Sequence, residues 1–163
     1  MQSNQKLILI RGLSGSGKST LAEKLKSENP TWTGPIEADS FFMNYEVDPP
    51  VYLWKSEFLS EAHQFCYAVA AMHLSRGSTV IVSNTFTTAE EIARYAQLAI
   101  KCRVPYIEIQ EPETEWKRDV TECFKKNRHR VPIGIIENQA KRWFLLATGL
   151  HETRTLRDFL KKA

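Results

Sequence analysis

Eight residues near the N-terminus, Gly12-Leu13-Ser14-Gly15-Ser16-Gly17-Lys18-Ser19, fit the spacing G-x-x-x-x-G-K-[ST] at every fixed position. Glycines at those places let the backbone turn so that successive N–H groups surround an anion. A helix opening beside Lys18 and Thr20 adds the positive end of its dipole. Lys18 has the reach to neutralise β- and γ-phosphate oxygens, and the Ser19 hydroxyl is a ligand for Mg²⁺. The segment from Gly12 to Thr20 therefore predicts a nucleotide phosphate site, a phosphate-binding loop.

Two further groups suit the same chemistry. Asp39 follows a short apolar stretch that reads as a strand from Pro35 to Asp39, which puts its carboxylate at the sheet edge where α/β proteins bind ligands. A carboxylate there can accept a proton from an attacking hydroxyl. Lys125-Lys126-Asn127-Arg128-His129-Arg130 is a dense basic turn between two expected helices. The two lysines suit a helix C-terminus, whereas Arg128 and Arg130 suit a mobile lid that closes over a γ-phosphate.

Several classes are disfavoured. No guanine-reading N/T-K-x-D segment is present, and the expected strand from Thr79 to Val82 runs into Ser83-Asn84-Thr85 without the carboxylate of a motor ATPase. Cys66, Cys102 and Cys123 are odd in number and widely spaced, which excludes a disulfide framework and a CxxC metal site and predicts reduced core thiols. No apolar run approaches the roughly 18 residues of a membrane span, so a cytoplasmic location is expected.

The elements that must carry these residues alternate along the chain. Lys6 to Arg11, Thr79 to Ser83 and Val104 to Gln110 read as buried strands. Helices are expected over 19–26, over 54–75 with Phe58, Leu59, Ala62, Phe65, Cys66, Val69 and Met72 as its apolar positions, and from Thr87 or Thr88 to Lys101. Others are expected over 113–127 and 133–146, an irregular loop over 43–52, and no definite state over 156–160. This order predicts an α/β fold, a three-layer sandwich with a central parallel sheet of about four to five strands, helices on both faces and a helical lid. The 163 residues fit one domain, a core over 6–110 with lid and C-terminal helices over 111–163. The net charge of +3 divides into −1 over residues 1–110 and +4 over 111–163, so the positive excess lies with the expected lid.

In combination, the motifs resemble the polynucleotide-5′-kinase-like P-loop kinases, closest to the kinase domains of Nedd-binding proteins and small phage or bacterial relatives. The resemblance rests on six stretches, over 11–20, 39–42, 61–63, 80–85, 111–117 and 127–132, in family order. It implies ATP and Mg²⁺ as cofactors, Lys18 and Ser19 as phosphate and metal residues, Asp39 as general base, residues 127–130 as the lid, and Asn84 and Thr85 on the acceptor side. Phe42 is a candidate for stacking on a base there, or a core ring. The chain departs from the family pattern at Ser40, where a second acidic residue is usual, and at Ser83 and Phe86, where Asp and Asn are common. It also lacks the arginine that viral end-healing kinases carry after the catalytic Asp.

The expected activity is transfer of the γ-phosphoryl group of ATP to a nucleic-acid hydroxyl, foremost a polynucleotide 5′-OH. A hydroxymethylated base, a nucleoside or a small metabolite is the alternative acceptor. An ATP-binding switch or adaptor without transfer is the third reading.

Overall fold

The computed structural model describes residues 4–163. Four strands, β1 (Lys6–Ile10), β2 (Thr33–Ile36), β5 (Val80–Ser83) and β6 (Tyr106–Gln110), run parallel, and β7 (Gly149–Glu152) closes the edge antiparallel to β6. The order across the sheet is β2-β5-β1-β6-β7. Two short strands, β3 (Met43–Asn44) and β4 (Val51–Tyr52), form a separate antiparallel ribbon within the expected loop. The helices are α1 (Lys18–Glu28), α2 (Leu59–Ser75), α3 (Ala89–Lys101), α4 (Val120–Lys126), α5 (Ile133–Lys141) and α6 (Thr153–Leu160).

Side-chain alternation along the strands separates two faces. Leu7, Leu9, Ile36, Val80, Val82, Ile107 and Ile109 pack against α2, α3 and α6. Ile8, Ile10 and Ile81 turn the other way, onto Ala22 of α1. The three-layer α/β architecture expected from the sequence is present, with the fifth strand antiparallel.

The boundaries differ for identifiable reasons. β2 ends at Ile36, and residues 38–42 wind into a 3₁₀ turn because the Ala38 N–H donates to the side chain of Asn84 (2.9 Å) instead of extending the ladder. On α2 the helical period holds but the buried stripe is Ala62, Cys66, Ala70 and Leu74, whose small side chains admit close packing, while Phe58, Leu59, Phe65 and Met72 lie exposed. The α3 capping box forms on Thr88 and Glu91, and the Thr87 hydroxyl also donates to the Glu91 carboxylate.

The segment expected as one helix over 113–127 is helical only from Val120, where the Asp119 carboxylate accepts the Glu122 N–H as an N-cap. The helix expected to reach 146 stops at Lys141, because Phe144 N–H and Arg142 Nε both bond to Thr87 (2.7 Å each) and lead the chain away. The undecided tail is α6, whose Leu156 and Leu160 complete the core beside α3. All three cysteines are free, with Cys66 and Cys123 buried.

Candidate functional site

The loop after β1 is shaped for an anion by its own backbone. Gly15 (φ 84°) and Gly17 (φ 104°) occupy the left-handed region that glycine tolerates. The N–H groups of Gly15, Gly17, Lys18 and Ser19 have no acceptor among the described residues. The Ser16 hydroxyl is buried without a partner in the same loop. Unfilled donors converging at a helix N-terminus are what phosphate oxygens require. These residues therefore fit a nucleotide's phosphates. The Lys18 ammonium donates to the Leu13 carbonyl at 2.9 Å; burial pushes its pKa down to about 8, against the opposing pull of Asp39 and Glu37. Leu13 itself is buried against Cys123 and Ile136, anchoring the loop from below, and Thr20 is exposed on α1.

Beside Lys18 the Ser19 hydroxyl donates to Glu37 Oε1 at 3.0 Å. A hydroxyl paired with a carboxylate is a hard oxygen set that suits Mg²⁺. Glu37 went unnoticed in the sequence because no motif flags it; only the ladder of β2 beside β5 brings it to α1.

Asp39 stands in the 3₁₀ turn with its side chain half exposed. The Tyr52 hydroxyl donates to Asp39 Oδ1 at 2.7 Å, and His129 Nε2 lies 3.7 Å from Oδ2. The two rings pack together with centroids 4.3 Å apart. Burial, the hydrogen bond and the carboxylate's charge all push the Tyr52 hydroxyl toward staying protonated, a donor at every working pH. Tyr52 was also missed, lying in a stretch read as irregular loop.

His129 ties the basic turn to Asp39. Asn127 shapes that turn: its amide donates to Phe124 O (2.7 Å), and its Oδ1 accepts the Val131 N–H (2.6 Å). Arg128 and Arg130 flank His129, both exposed and without an ion pair among the described residues, Arg130 at φ 54°. Lys125 instead pairs with Glu122, and Lys126 lies over the Trp116 ring, the local roles expected of them.

The segment expected as a lid docks on the phosphate loop itself. Trp116 Nε1 donates to Gly15 O (3.1 Å) and Thr114 Oγ1 to Ser16 O (2.8 Å). Gln139 of α5 accepts from Ser14 N–H (2.9 Å) and donates to its hydroxyl (3.0 Å). Trp116 thus packs onto the phosphate loop. Nearby, the guanidinium of fully buried Arg11 bonds to Phe86 O and Phe144 O, and the Trp143 ring lies between Arg11 and Arg118.

Of the acceptor-side candidates, Phe42 takes its core alternative and Asn84 is buried in the fold. Phe42 is 5% exposed and packs with Ala38 and Ala62, because the 3₁₀ turn points it inward; Phe41, 40% exposed, is the available ring. Asn84 is buried and spends its amide on Ala38 N–H and Cys66 Sγ, so it holds the Asp39 turn rather than lining a cleft. Thr85 is half-buried, and its carbonyl accepts the Gly12 N–H at 3.2 Å.

The AAA_33 family model, described as an AAA domain, matches residues 7–145. The chain belongs to this family of P-loop kinase-like domains. This AAA_33 chain is 33% identical to human NEDD4-binding protein 2 over 126 residues, which is 77% of the chain and 7% of that relative's length. A structure of the Pnkp1/Rnl/Hen1 RNA repair complex shares its fold with a TM-score of 0.64 at 17% identity, covering 99% of this chain and 47% of the other. A gluconokinase from Sinorhizobium meliloti matches with a TM-score of 0.56 at 16% identity, covering 89% of this chain and 78% of that one. The resemblance to polynucleotide-5′-kinase-like kinases read from the motifs agrees with these relatives, and the AAA_33 fold supports a phosphotransferase.

Proposed function

We propose that the chain transfers the γ-phosphoryl group of ATP to a hydroxyl, with a polynucleotide 5′-OH as the acceptor. The observation that carries this is Asp39: a solvent-accessible carboxylate fixed by Tyr52, within electrostatic influence of Lys18 and against the arginine turn through His129. Lys18 and the unfilled loop amides hold the β- and γ-phosphates, and Ser19 holds Mg²⁺. Bound Mg²⁺ supplies charge neutralisation on the phosphate oxygens. Asp39 takes the acceptor's proton as the hydroxyl oxygen bonds to the γ-phosphorus and the bond to the bridging oxygen of ADP breaks. Arg128 and Arg130, unpaired beside this point, stabilise the charge on the transferring group.

Stacking faces support a nucleic-acid acceptor. Phe41, Leu53, Lys55 and Phe58 line a groove of about 350 Å³, and exposed aromatic rings beside a cation suit unpaired bases. Glu46 lines the same groove, and its charge opposes a phosphate backbone. That residue favours the second reading, a small hydroxyl acceptor without a strand.

Incubation with γ-labelled ATP and 5′-OH DNA or RNA oligonucleotides, nucleosides and sugars tests both. Label at an oligonucleotide 5′ end is expected, with a loss of about 10²–10⁴-fold in Asp39→Ala. Label on a small molecule alone selects the second reading. ATP binding without transfer to anything overturns both and leaves a nucleotide-dependent switch.

A further inference from the structure

The end of β5 lacks the carboxylate that commonly secures the metal of a phosphate-binding loop; Ser83 stands there. Its hydroxyl is buried, with the residue 3% exposed, and has no hydrogen-bond partner. Strand register shows what lies beside it. Ile36 pairs with Val82, and both side chains belong to the α2/α3 face. The next residue on each strand, Glu37 and Ser83, therefore turns to the opposite face, toward α1. Ser83 is in register with Ile10, whose side chain packs on that same face. Ser19 meets Glu37 there at 3.0 Å.

We infer that Glu37 is the metal-site carboxylate of this chain, displaced by one strand from the end of β5 to the end of β2. The site consists of the Ser19 hydroxyl and the Glu37 carboxylate, with the Ser83 hydroxyl as a buried polar group able to bond a metal-bound water. Its ligand is a hard divalent cation, Mg²⁺ or Mn²⁺, carried with the nucleotide's β- and γ-phosphates. Asp39, two residues on, keeps its carboxylate on Tyr52 and stays available as base. The two acidic residues of the Glu37-Ala38-Asp39 segment thus divide the work between metal and proton.

This inference rests on the cleft being a nucleotide site, and its test reads binding rather than turnover. Calorimetry gives ATP affinity in EDTA, and paramagnetic resonance of free Mn²⁺ gives the affinity for Mn²⁺ in the presence of ATP. Glu37→Gln is expected to weaken Mn²⁺ about 10- to 100-fold, the range for disturbed metal shells, with ATP affinity in EDTA unchanged within about threefold. Glu37→Gln combined with Ser83→Asp, which returns a carboxylate to β5, is expected to recover most of the Mn²⁺ affinity. Wild-type Mn²⁺ affinity in Glu37→Gln overturns the assignment. So does an equal loss of metal-free ATP binding that Ser83→Asp fails to repair. A chain that binds Mn²⁺ and ATP in the expected pattern but phosphorylates no acceptor keeps this inference and removes the kinase reading.

Discussion

At the level of single residues, Tyr52 and Asp39 are a donor and an acceptor held 2.7 Å apart. A hydrogen bond to a charged group contributes about 1.5–3 kcal/mol, and here it fixes which carboxylate oxygen is left for the substrate. Tyr52→Phe keeps the ring that packs on Phe42 and His129 while removing the donor. The expected result is a kcat about tenfold lower with ATP affinity unchanged, read by steady-state kinetics alongside nucleotide titration; an equal fall in ATP affinity contradicts the orienting role. Lys18 and Ser19 stood out by spacing alone, because a phosphate loop needs its residues contiguous, and Asp39 stood out by its place just after an expected strand. Glu37 and Tyr52 did not. Their contacts are Ser19 on α1 and Asp39 in the 3₁₀ turn, pairings that the β2–β5 and β3–β4 geometry brings about.

Among the elements, α4 and the phosphate loop meet at a glycine. A Cβ on Gly15 would stand 2.0 Å from the Cys123 carbonyl oxygen, at a φ of 84°. Gly134 in α5 has nothing within 4 Å of the same construction. Gly15→Ala is expected to displace α4, lowering stability by about 2 kcal/mol or more and loosening nucleotide binding. Gly134→Ala is expected to stabilise by roughly 0.5–1 kcal/mol, since Ala suits a helix better. Urea denaturation of the two variants checks the contrast; similar effects would mean that α4 yields freely. The strand–helix alternation was readable because β1 and β5 are apolar runs bounded by polar residues. The antiparallel β7 was not, because Gly149-Leu-His-Glu152 is mostly exposed and carries no apolar signature. The helix expected over 113–127 was over-extended for a related reason: amphipathic periodicity does not show that Trp116 and Thr114 bond to the loop.

For the molecule as a whole, one half-buried titrating group links the fold to pH. Burial and Arg94 hold the His63 pKa below its ordinary value, while Glu91 and Asp39 pull the other way. The unfolded chain therefore binds more protons at this position than the folded one as the pH falls below about 6.5. Stability contributed by neutral His63 is complete above that value and declines on acidification. His63→Gln is expected to flatten the acid side of the stability curve, measured by urea unfolding at about pH 7.5 and about pH 5; an unaltered slope places the acid sensitivity elsewhere. His63 makes no side-chain hydrogen bond among the described residues. That leaves its charge state free to respond.

The docking of Trp116 on Gly15 also has an optical consequence. Of the four tryptophans, Trp32 packs beneath α1, Trp54 is exposed and Trp143 lies between two guanidinium groups. Trp116 alone donates its indole N–H to the backbone of the phosphate loop. An anion drawing on the neighbouring amides changes the field across that indole and hence its emission. The chain carries a fluorophore at the phosphate loop, and displacement of residues 114–116 from that loop is expected to shift its emission.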